Sequence, residues 1–142
     1  MAIHQISDNL YVAPQLTQTD VSDASKLGIK AVICNRPDNE EPNQPTFSEV
    51  QQWLTSVGIN QSVQQPVVAS TINGNDVEQF QQLLQSLPKP VLAYCRTGTR
   101  SSLLWGFNQV KNGKKTSDVI TAAQRAQINL SSFEERLNAA AQ

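Results

Sequence analysis

The residues best suited to chemistry lie together in one short stretch, Cys95-Arg96-Thr97-Gly98-Thr99-Arg100-Ser101. A cysteine thiolate is a strong nucleophile, and arginine offers a planar fork of donors to an anion. Glycine lets the backbone turn tightly. The combination predicts a nucleophilic Cys95 inside an anion-binding loop, with Arg100 as its charged partner. Alternatively, Cys95 is only a small apolar residue that ends a core strand, because free cysteine is often buried.

The segments on either side of this stretch predict how the loop is held. The run 90–94 (Pro-Val-Leu-Ala-Tyr) is short and partly β-branched, as is typical of a buried strand. Apolar residues then recur at spacings that share one helix face: Leu103, Leu104, Phe107 and Val110. Cys95 would therefore precede a helix N-terminus, where free N–H groups and the helix dipole stabilise negative charge.

The spacing between Cys95 and Arg100 bears on the substrate. Cysteine-dependent phosphatases place five residues between these two groups, so that the backbone wraps three phosphate oxygens. Here only Arg96, Thr97, Gly98 and Thr99 intervene. One residue fewer removes roughly 3.5 Å of chain from the ring. The shorter loop suits a thiolate that carries one extra sulfur atom, and it resembles the active loop of rhodanese-type sulfurtransferases.

Length, charge and cysteine count exclude several classes of protein. With 142 residues and a net charge of -1, we expect one domain (residues 1–142) without the basic field of a nucleic-acid-binding protein. Two distant cysteines predict no disulfide framework, metal or cofactor and favour a reducing cytoplasm. We expect no signal peptide and no membrane span, because the N-terminus has no apolar core and other apolar runs are short.

The order of the patterns predicts an α/β fold. The order β-β-α-β-α-β-α-β-loop-α-α-α indicates a three-layer domain with a central, mostly parallel sheet and helices on both faces. Asn75 is expected to cap the third helix, and Ser131-Ser132-Phe133-Glu134 is expected to form a capping box at the start of the last one.

A second loop, residues 35–45, follows a predicted strand that ends at Cys34. Ligands of open α/β sheets bind at this edge, so Asn35, Arg36 and Asp38 are further candidate site residues. The alternative is a solvated surface connector. Cys34 itself lies in an apolar run and is expected to be structural.

Four segments resemble, in order, a bacterial family. They are 10–16 (LYVAPQL), 35–38 (NRPD), 40–45 (EEPNQP) and 95–101 (CRTGTRS). The family is the phosphatase-like domain of the beta-lactamase hydrolase-like proteins, which are sulfur transferases with a dual-specificity-phosphatase-like fold. The resemblance implies a cysteine-phosphatase-type sheet and a link to persulfide dioxygenases. No metallo-hydrolase domain is recognised in the sequence, so we expect the stand-alone form.

Two departures from the phosphatase pattern weigh against phosphate chemistry. Tyr94 stands where phosphatases place a histidine before the nucleophile. Phosphatases also keep a general-acid aspartate near the position of residues 68–70, but Ala69 and Ser70 cannot protonate a leaving group. General acid catalysis contributes roughly 10²–10⁴-fold, so its loss matters. Asp38 is a substitute acid in the phosphatase hypothesis.

Three functional hypotheses follow. In the first, the Cys95 thiolate takes sulfane sulfur from thiosulfate or a small persulfide and passes it to a thiol or cyanide. Arg100 and the N–H groups of residues 96–101 stabilise the anions, Arg96 holds the donor, and Ser101 donates to the thiolate. A persulfide dioxygenase or sulfide-oxidising enzyme is the expected partner. The second is a phosphatase with a Cys95 phosphoenzyme, and the third is a non-catalytic module that senses sulfur or anions.

Overall fold

The sheet at the centre of the molecule has five strands, as seen in a computed structural model that describes residues 2–142. They are listed here in chain order: β1 (His4–Ser7), β2 (Leu10–Ala13), β3 (Ala31–Cys34), β4 (Gln61–Gln64) and β5 (Val91–Tyr94). Their order across the sheet is β1-β2-β5-β3-β4. Only β1 runs antiparallel to its neighbour, and the other pairs are parallel. The prediction of a mostly parallel sheet is confirmed.

Helices cover both faces of this sheet. They are α1 (Gln18–Lys26), α2 (Phe47–Ser56), α3 (Gly74–Ser86), α4 (Thr99–Lys111), α5 (Thr116–Arg125) and α6 (Glu134–Ala140). One apolar cluster joins α1 and α2 to the sheet through Val21, Val50 and Leu54. The other cluster joins the four helices α3, α4, α5 and α6 to the opposite face, through residues such as Phe80, Leu104 and Leu137. The predicted α/β fold with helices on both faces is therefore confirmed.

Two predicted helix starts are wrong. Asn73, and not Asn75, caps α3, because the carboxylate of Asp76 lies three residues after Asn73 and completes a reciprocal pair of hydrogen bonds. At the last helix no capping box forms. Instead the Asn129 side chain accepts hydrogen bonds from the N–H and hydroxyl of Ser131, which begins a 3₁₀ turn ahead of α6.

Helix α4 is the most deeply buried of the helices. Every residue from Ser101 to Phe107 is buried, and the helix packs against β5, α3, α5 and α6. A helix held on this many sides gives the loop at its N-terminus a fixed base. Within residues 2–142 no helix has the length and apolar character needed to cross a membrane.

Candidate active site

Neighbouring strands bring two loops of the candidate site together. β3 and β5 are adjacent and parallel, with Cys34 paired to Tyr94, so the loops that follow them leave the same edge of the sheet. The N–H of Asn35 donates to the carbonyl of Tyr94 at 2.8 Å, which ties the start of one loop to the other. The predicted proximity of residues 35–45 to Cys95 follows from this pairing.

Cys95 lies at the base of the loop between β5 and α4. The residue is 0% exposed, and its Sγ accepts a hydrogen bond from the N–H of Gly98 at 3.1 Å. Above it, the hydroxyls of Thr97 and Thr99 are hydrogen-bonded to each other at 3.0 Å. One backbone donor of the loop is thus aimed at the sulfur, where negative charge would develop.

Two features of the structure require glycine at position 98: its backbone conformation and the closeness of a neighbouring side chain. Its φ of 88° lies in the left-handed region, where residues with a side chain are strained. A Cβ at this position would also lie 2.7 Å from Cδ1 of Ile128, which belongs to the segment after α5. The loop therefore depends on glycine both for its turn and for its contact with the C-terminal part of the chain.

Arg100 directs its fork of donors at a carboxylate of the second loop. Nη1 and Nη2 donate to the two oxygens of Glu40 at 2.7 and 2.9 Å, and Nη1 also donates to the carbonyl of Val67 at 2.9 Å. The pKa of Arg100 is raised. The hydrogen bond that Arg100 donates to Glu40 is the main cause of that increase, and the nearby Cys95 is one of the smaller causes.

A second arginine holds both glutamates of this loop. Arg36 is 3% exposed, and its Nε donates to Glu40 at 2.8 Å while Nη2 donates to Glu41 at 2.5 Å. Its remaining nitrogen donates to the side chain of Gln15 at 3.0 Å. Glu41 also accepts from Nε of Arg96, the exposed arginine after the nucleophile. Two glutamates therefore tie together the three arginines around Cys95.

The carboxyl of Glu40 is held ionised. The hydrogen bond from Arg100 is the largest cause that lowers its pKa, to about 2. Because the pKa in the folded protein lies below the usual carboxyl value, the ion pair stabilises the fold above that usual range and weakens as the pH falls toward about 2. At neutral pH Glu40 carries no proton to give to a leaving group.

Ser101 does not donate to the nucleophile as the sequence suggested, and Asp38 is hydrogen-bonded at the start of α2. Oδ1 of Asp38 accepts from the N–H of Phe47 at 2.9 Å, so the carboxylate is used at the start of α2. The Ser101 hydroxyl donates to Oδ1 of Asn35 at 2.8 Å, and not to the sulfur of Cys95. Both Asn35 and Ser101 are 0% exposed, and their bond joins the second loop to α4. Asn35 thus has a positioning role.

The loop after β4 contributes a carbonyl to the site. Val67 accepts from Arg100, and the following residues form a short 3₁₀ turn, Ala69–Thr71. Arg136 of α6 donates to the carbonyls of Ala69 and Ile72 and so holds this turn in place. Residues 66–71 include no carboxylate, as the sequence predicted for the place of a phosphatase general acid.

Cys34 lies on the other face of the sheet. It is 2% exposed, and its thiol donates to the carbonyl of Arg36 at 3.4 Å. Burial raises the pKa of the Cys34 thiol and also that of the Tyr94 phenol. These surroundings are those of a structural cysteine. Both cysteines are free, and residues 2–142 contain no cluster of three or more potential metal ligands of the His, Cys, Asp and Glu types.

Three residues of the site escaped the sequence analysis: Gln15, Glu40 and Glu41. All three lie in segments that carry the family resemblance, but their residue types alone did not assign them to the arginines. The available signal was one of charge, since three arginines at one sheet edge need anionic partners and the loop 35–45 holds the nearest acidic pair.

The sheet order and the cysteine loop at the start of α4 place this chain among proteins with the cysteine-phosphatase type of α/β fold. Residues 2–112 match the family described as beta-lactamase hydrolase-like protein, phosphatase-like domain. The chain belongs to this family, which confirms the resemblance seen in the sequence. It spans less than a third of the length of the curated relatives that it matches.

Individual relatives agree with this assignment. The beta-lactamase hydrolase-like protein of Agrobacterium fabrum is 32% identical over 81% of this chain and 27% of its own length. A crystal structure from Neisseria meningitidis, described as a candidate phosphatase, has a TM-score of 0.97 and 49% identity over 99% of both chains. The catalytic core of the PP-IP phosphatase SIW14 from S. cerevisiae shares the fold, with a TM-score of 0.73 and 16% identity over 97% of this chain and 84% of its own.

Proposed function

We propose that this chain is a sulfurtransferase that carries sulfane sulfur on Cys95. The observation that supports this most strongly is that the carboxylates of the second loop are already bonded, with Glu41 accepting from Arg36 and Arg96. Asp38 is hydrogen-bonded at the start of α2, and Glu40 is held ionised by Arg100, with a pKa of about 2. Neither is free to protonate an alcohol leaving group. A sulfite or thiolate leaving group needs no such proton.

The proposed reaction conserves electrons and charge. The thiolate of Cys95 attacks the sulfane sulfur of thiosulfate, the S–S bond of the donor breaks, and sulfite leaves with the electron pair. The enzyme then carries a persulfide anion. Cyanide attacks the outer sulfur and leaves as thiocyanate, or a thiolate attacks it and leaves as a persulfide, and Cys95 returns to a thiolate. A small persulfide can replace thiosulfate, with its thiolate as the leaving group.

Each loop residue has a role in this proposal. The N–H of Gly98 stabilises the Cys95 sulfur, and Arg100 stabilises the charge that moves to the outer sulfur and to the leaving group. Arg96 is 59% exposed at the mouth and can hold the anionic end of a donor. The expected partners remain a small-molecule sulfur donor, a thiol acceptor and a persulfide dioxygenase or sulfide-oxidising enzyme. Two free cysteines suit the reducing cytoplasm.

The second candidate is a cysteine-dependent phosphatase, and the solved structures favour it. The Neisseria meningitidis protein with 49% identity is described as a candidate phosphatase, and named phosphatases share the fold. A phosphatase would form a phosphoenzyme on Cys95. It would also have to release either Glu40 from Arg100 or Asp38 from α2 to obtain a general acid.

Intact-mass measurement separates the two candidates. After incubation with thiosulfate or a small persulfide, we expect an adduct one sulfur atom heavier that cyanide removes. Cys95→Ser should abolish the adduct, and the matched variant Cys34→Ser should retain it because Cys34 lies on the opposite face. An aryl phosphate assayed in parallel should be hydrolysed only feebly. Rapid phosphatase turnover with no persulfide on Cys95 would overturn the proposal, and loss of the adduct in a folded Cys34→Ser variant would require a two-cysteine relay.

A further inference from the structure

The fork of Arg100 is occupied by a group of the protein itself. Both oxygens of Glu40 accept from its two terminal nitrogens, in the bidentate geometry with which arginine binds oxyanions. The Arg100 side chain is 12% exposed and that of Glu40 is 26% exposed, so this ion pair is shielded from solvent on most sides. An oxyanion arriving above Cys95 meets two terminal nitrogens of Arg100 that already donate to Glu40.

The charges around this fork leave little attraction for a dianion. Arg36, Arg96 and Arg100 are offset by Glu40 and Glu41, so one positive charge remains and a Cys95 thiolate would cancel it. Asp38 of the same loop adds a further negative charge near Tyr94 and Cys34. A phosphate monoester or thiosulfate would therefore bring two negative charges to a site whose side chains are together nearly neutral, with only the N-terminus of α4 to attract them.

The carboxylate is also delivered by a preformed loop. The Gln44 side chain accepts from the N–H groups of Glu40 and Glu41 at 3.0 and 3.3 Å and donates to the carbonyl of Pro37 at 2.9 Å. A group tethered in this way has an effective concentration on the order of millimolar or more. A free anion must compete with this carboxylate. The anion's apparent affinity is its intrinsic affinity multiplied by the fraction of time that the fork is vacant.

We propose that Glu40 is a specificity-determining residue, a built-in competitor that occupies the Arg100 fork and weakens the binding of dianionic oxyanions above Cys95. The inference deepens the proposed function, because it rests on Cys95 as the nucleophile beneath that fork. It predicts that phosphate and thiosulfate bind weakly, whereas a persulfide donor with a single negative charge is discriminated against less.

The test compares anion binding in Glu40→Gln and in its matched control, Glu41→Gln. Both substitutions remove one charge at constant size, but Glu41 contacts Arg36 and Arg96 and does not contact Arg100. Titration with inorganic phosphate, followed by calorimetry and by the amide resonance of Gly98, should give an affinity about tenfold higher for Glu40→Gln than for the wild type. That factor corresponds to one charge-assisted hydrogen bond. The control should change by less.

The variants must be folded for this comparison, because Arg36 is buried and loses a partner in both. If circular dichroism shows that Glu40→Gln is unfolded, Glu40→Asp replaces it, since its carboxylate is one methylene shorter and reaches the fork less well. It should raise the affinity for phosphate in the same direction, by a smaller factor. Equal phosphate affinity in the wild type and in a folded Glu40 variant would overturn the inference, as would an equal increase in Glu41→Gln.

Kinetics with two donors separate this inference from the proposed function. In Glu40→Gln the KM for thiosulfate should fall by about tenfold, while the KM for a small persulfide should change less. If the wild type forms no persulfide on Cys95 but Glu40→Gln still binds phosphate more tightly, the proposed function fails and the role of Glu40 stands. If sulfur transfer occurs and phosphate affinity is unchanged, only the role of Glu40 is refuted.

Discussion

Arg100 donates hydrogen bonds from both of its terminal nitrogens, so a residue that replaces it would have to provide the same donors. Its guanidinium bonds two oxygens of Glu40 and the carbonyl of Val67 at fixed angles. A lysine ammonium keeps the charge but presents it as a single point on a flexible stem, and it cannot hold the three acceptors in one plane. The shape of the fork therefore matters as much as its charge.

Arg100→Lys should accordingly lower kcat/KM for sulfur transfer to cyanide by at least about tenfold, which corresponds to the loss of one charge-assisted hydrogen bond. Arg96 is more exposed and pairs only with Glu41, so Arg96→Lys should cost no more than about fivefold. Steady-state kinetics on the two variants provide the comparison. Near-wild-type turnover in Arg100→Lys would mean that the loop requires only a positive charge.

At the residue scale, the sequence was most informative where one position has a chemistry of its own. Cys95, Gly98 and Arg100 could be proposed from their residue types and spacing alone. The partners of the arginines could not, because Glu40 and Arg100 are 60 residues apart and meet only after two strands pair. Ser101 illustrates the same limit, since its hydroxyl donates to the buried side-chain amide of Asn35 and not to the sulfur of Cys95.

At the element scale, short apolar runs and helical periodicity were enough to predict the order of strands and helices. Helix ends were harder, because two asparagines lie two residues apart at the start of α3 and only the position of Asp76 selects Asn73. The loop between β5 and α4 was predicted to turn at Gly98. The contact of that glycine with Ile128, from a distant part of the chain, has no local signal.

Gly98→Ala should destabilise the loop between β5 and α4 in two ways. A left-handed backbone costs a residue with a side chain about 1–2 kcal/mol, and the new methyl group would overlap Ile128. Urea unfolding should therefore show a loss of more than about 1 kcal/mol, and formation of the Cys95 adduct should fall with it. Gly58→Ala serves as a control, because its φ is 89° but an added Cβ meets nothing within 4 Å. If both variants lost the same free energy of unfolding, the contact with Ile128 would make no measurable contribution to stability.

At the scale of the whole molecule, the site depends on residues beyond the segment that defines the family. The family match ends at residue 112, whereas α5, α6 and the segment between them pack on α4. Ile128 meets the active loop at Gly98, and Arg136 holds the turn after β4 through two carbonyls. The sequence predicted these last helices as elements but gave no indication that they support the loop, since their apolar faces do not specify a partner.

Leu130 tests this support because it lies between α5 and α6, is 0% exposed and belongs to the apolar cluster around α4. Leu130→Ala should lower the free energy of unfolding by about 2–5 kcal/mol, as expected when a buried leucine leaves a cavity. Val68→Ala is the control, since Val68 is 51% exposed and its truncation should cost less than about 0.5 kcal/mol. Urea titration of both variants gives the two values. Because the cavity would lie against the middle of α4, next to Gly106, the Leu130 variant should also form the Cys95 adduct more slowly at urea concentrations where it is still folded. A loss below about 1 kcal/mol, with wild-type adduct formation, would show that the C-terminal helices do not support the active loop.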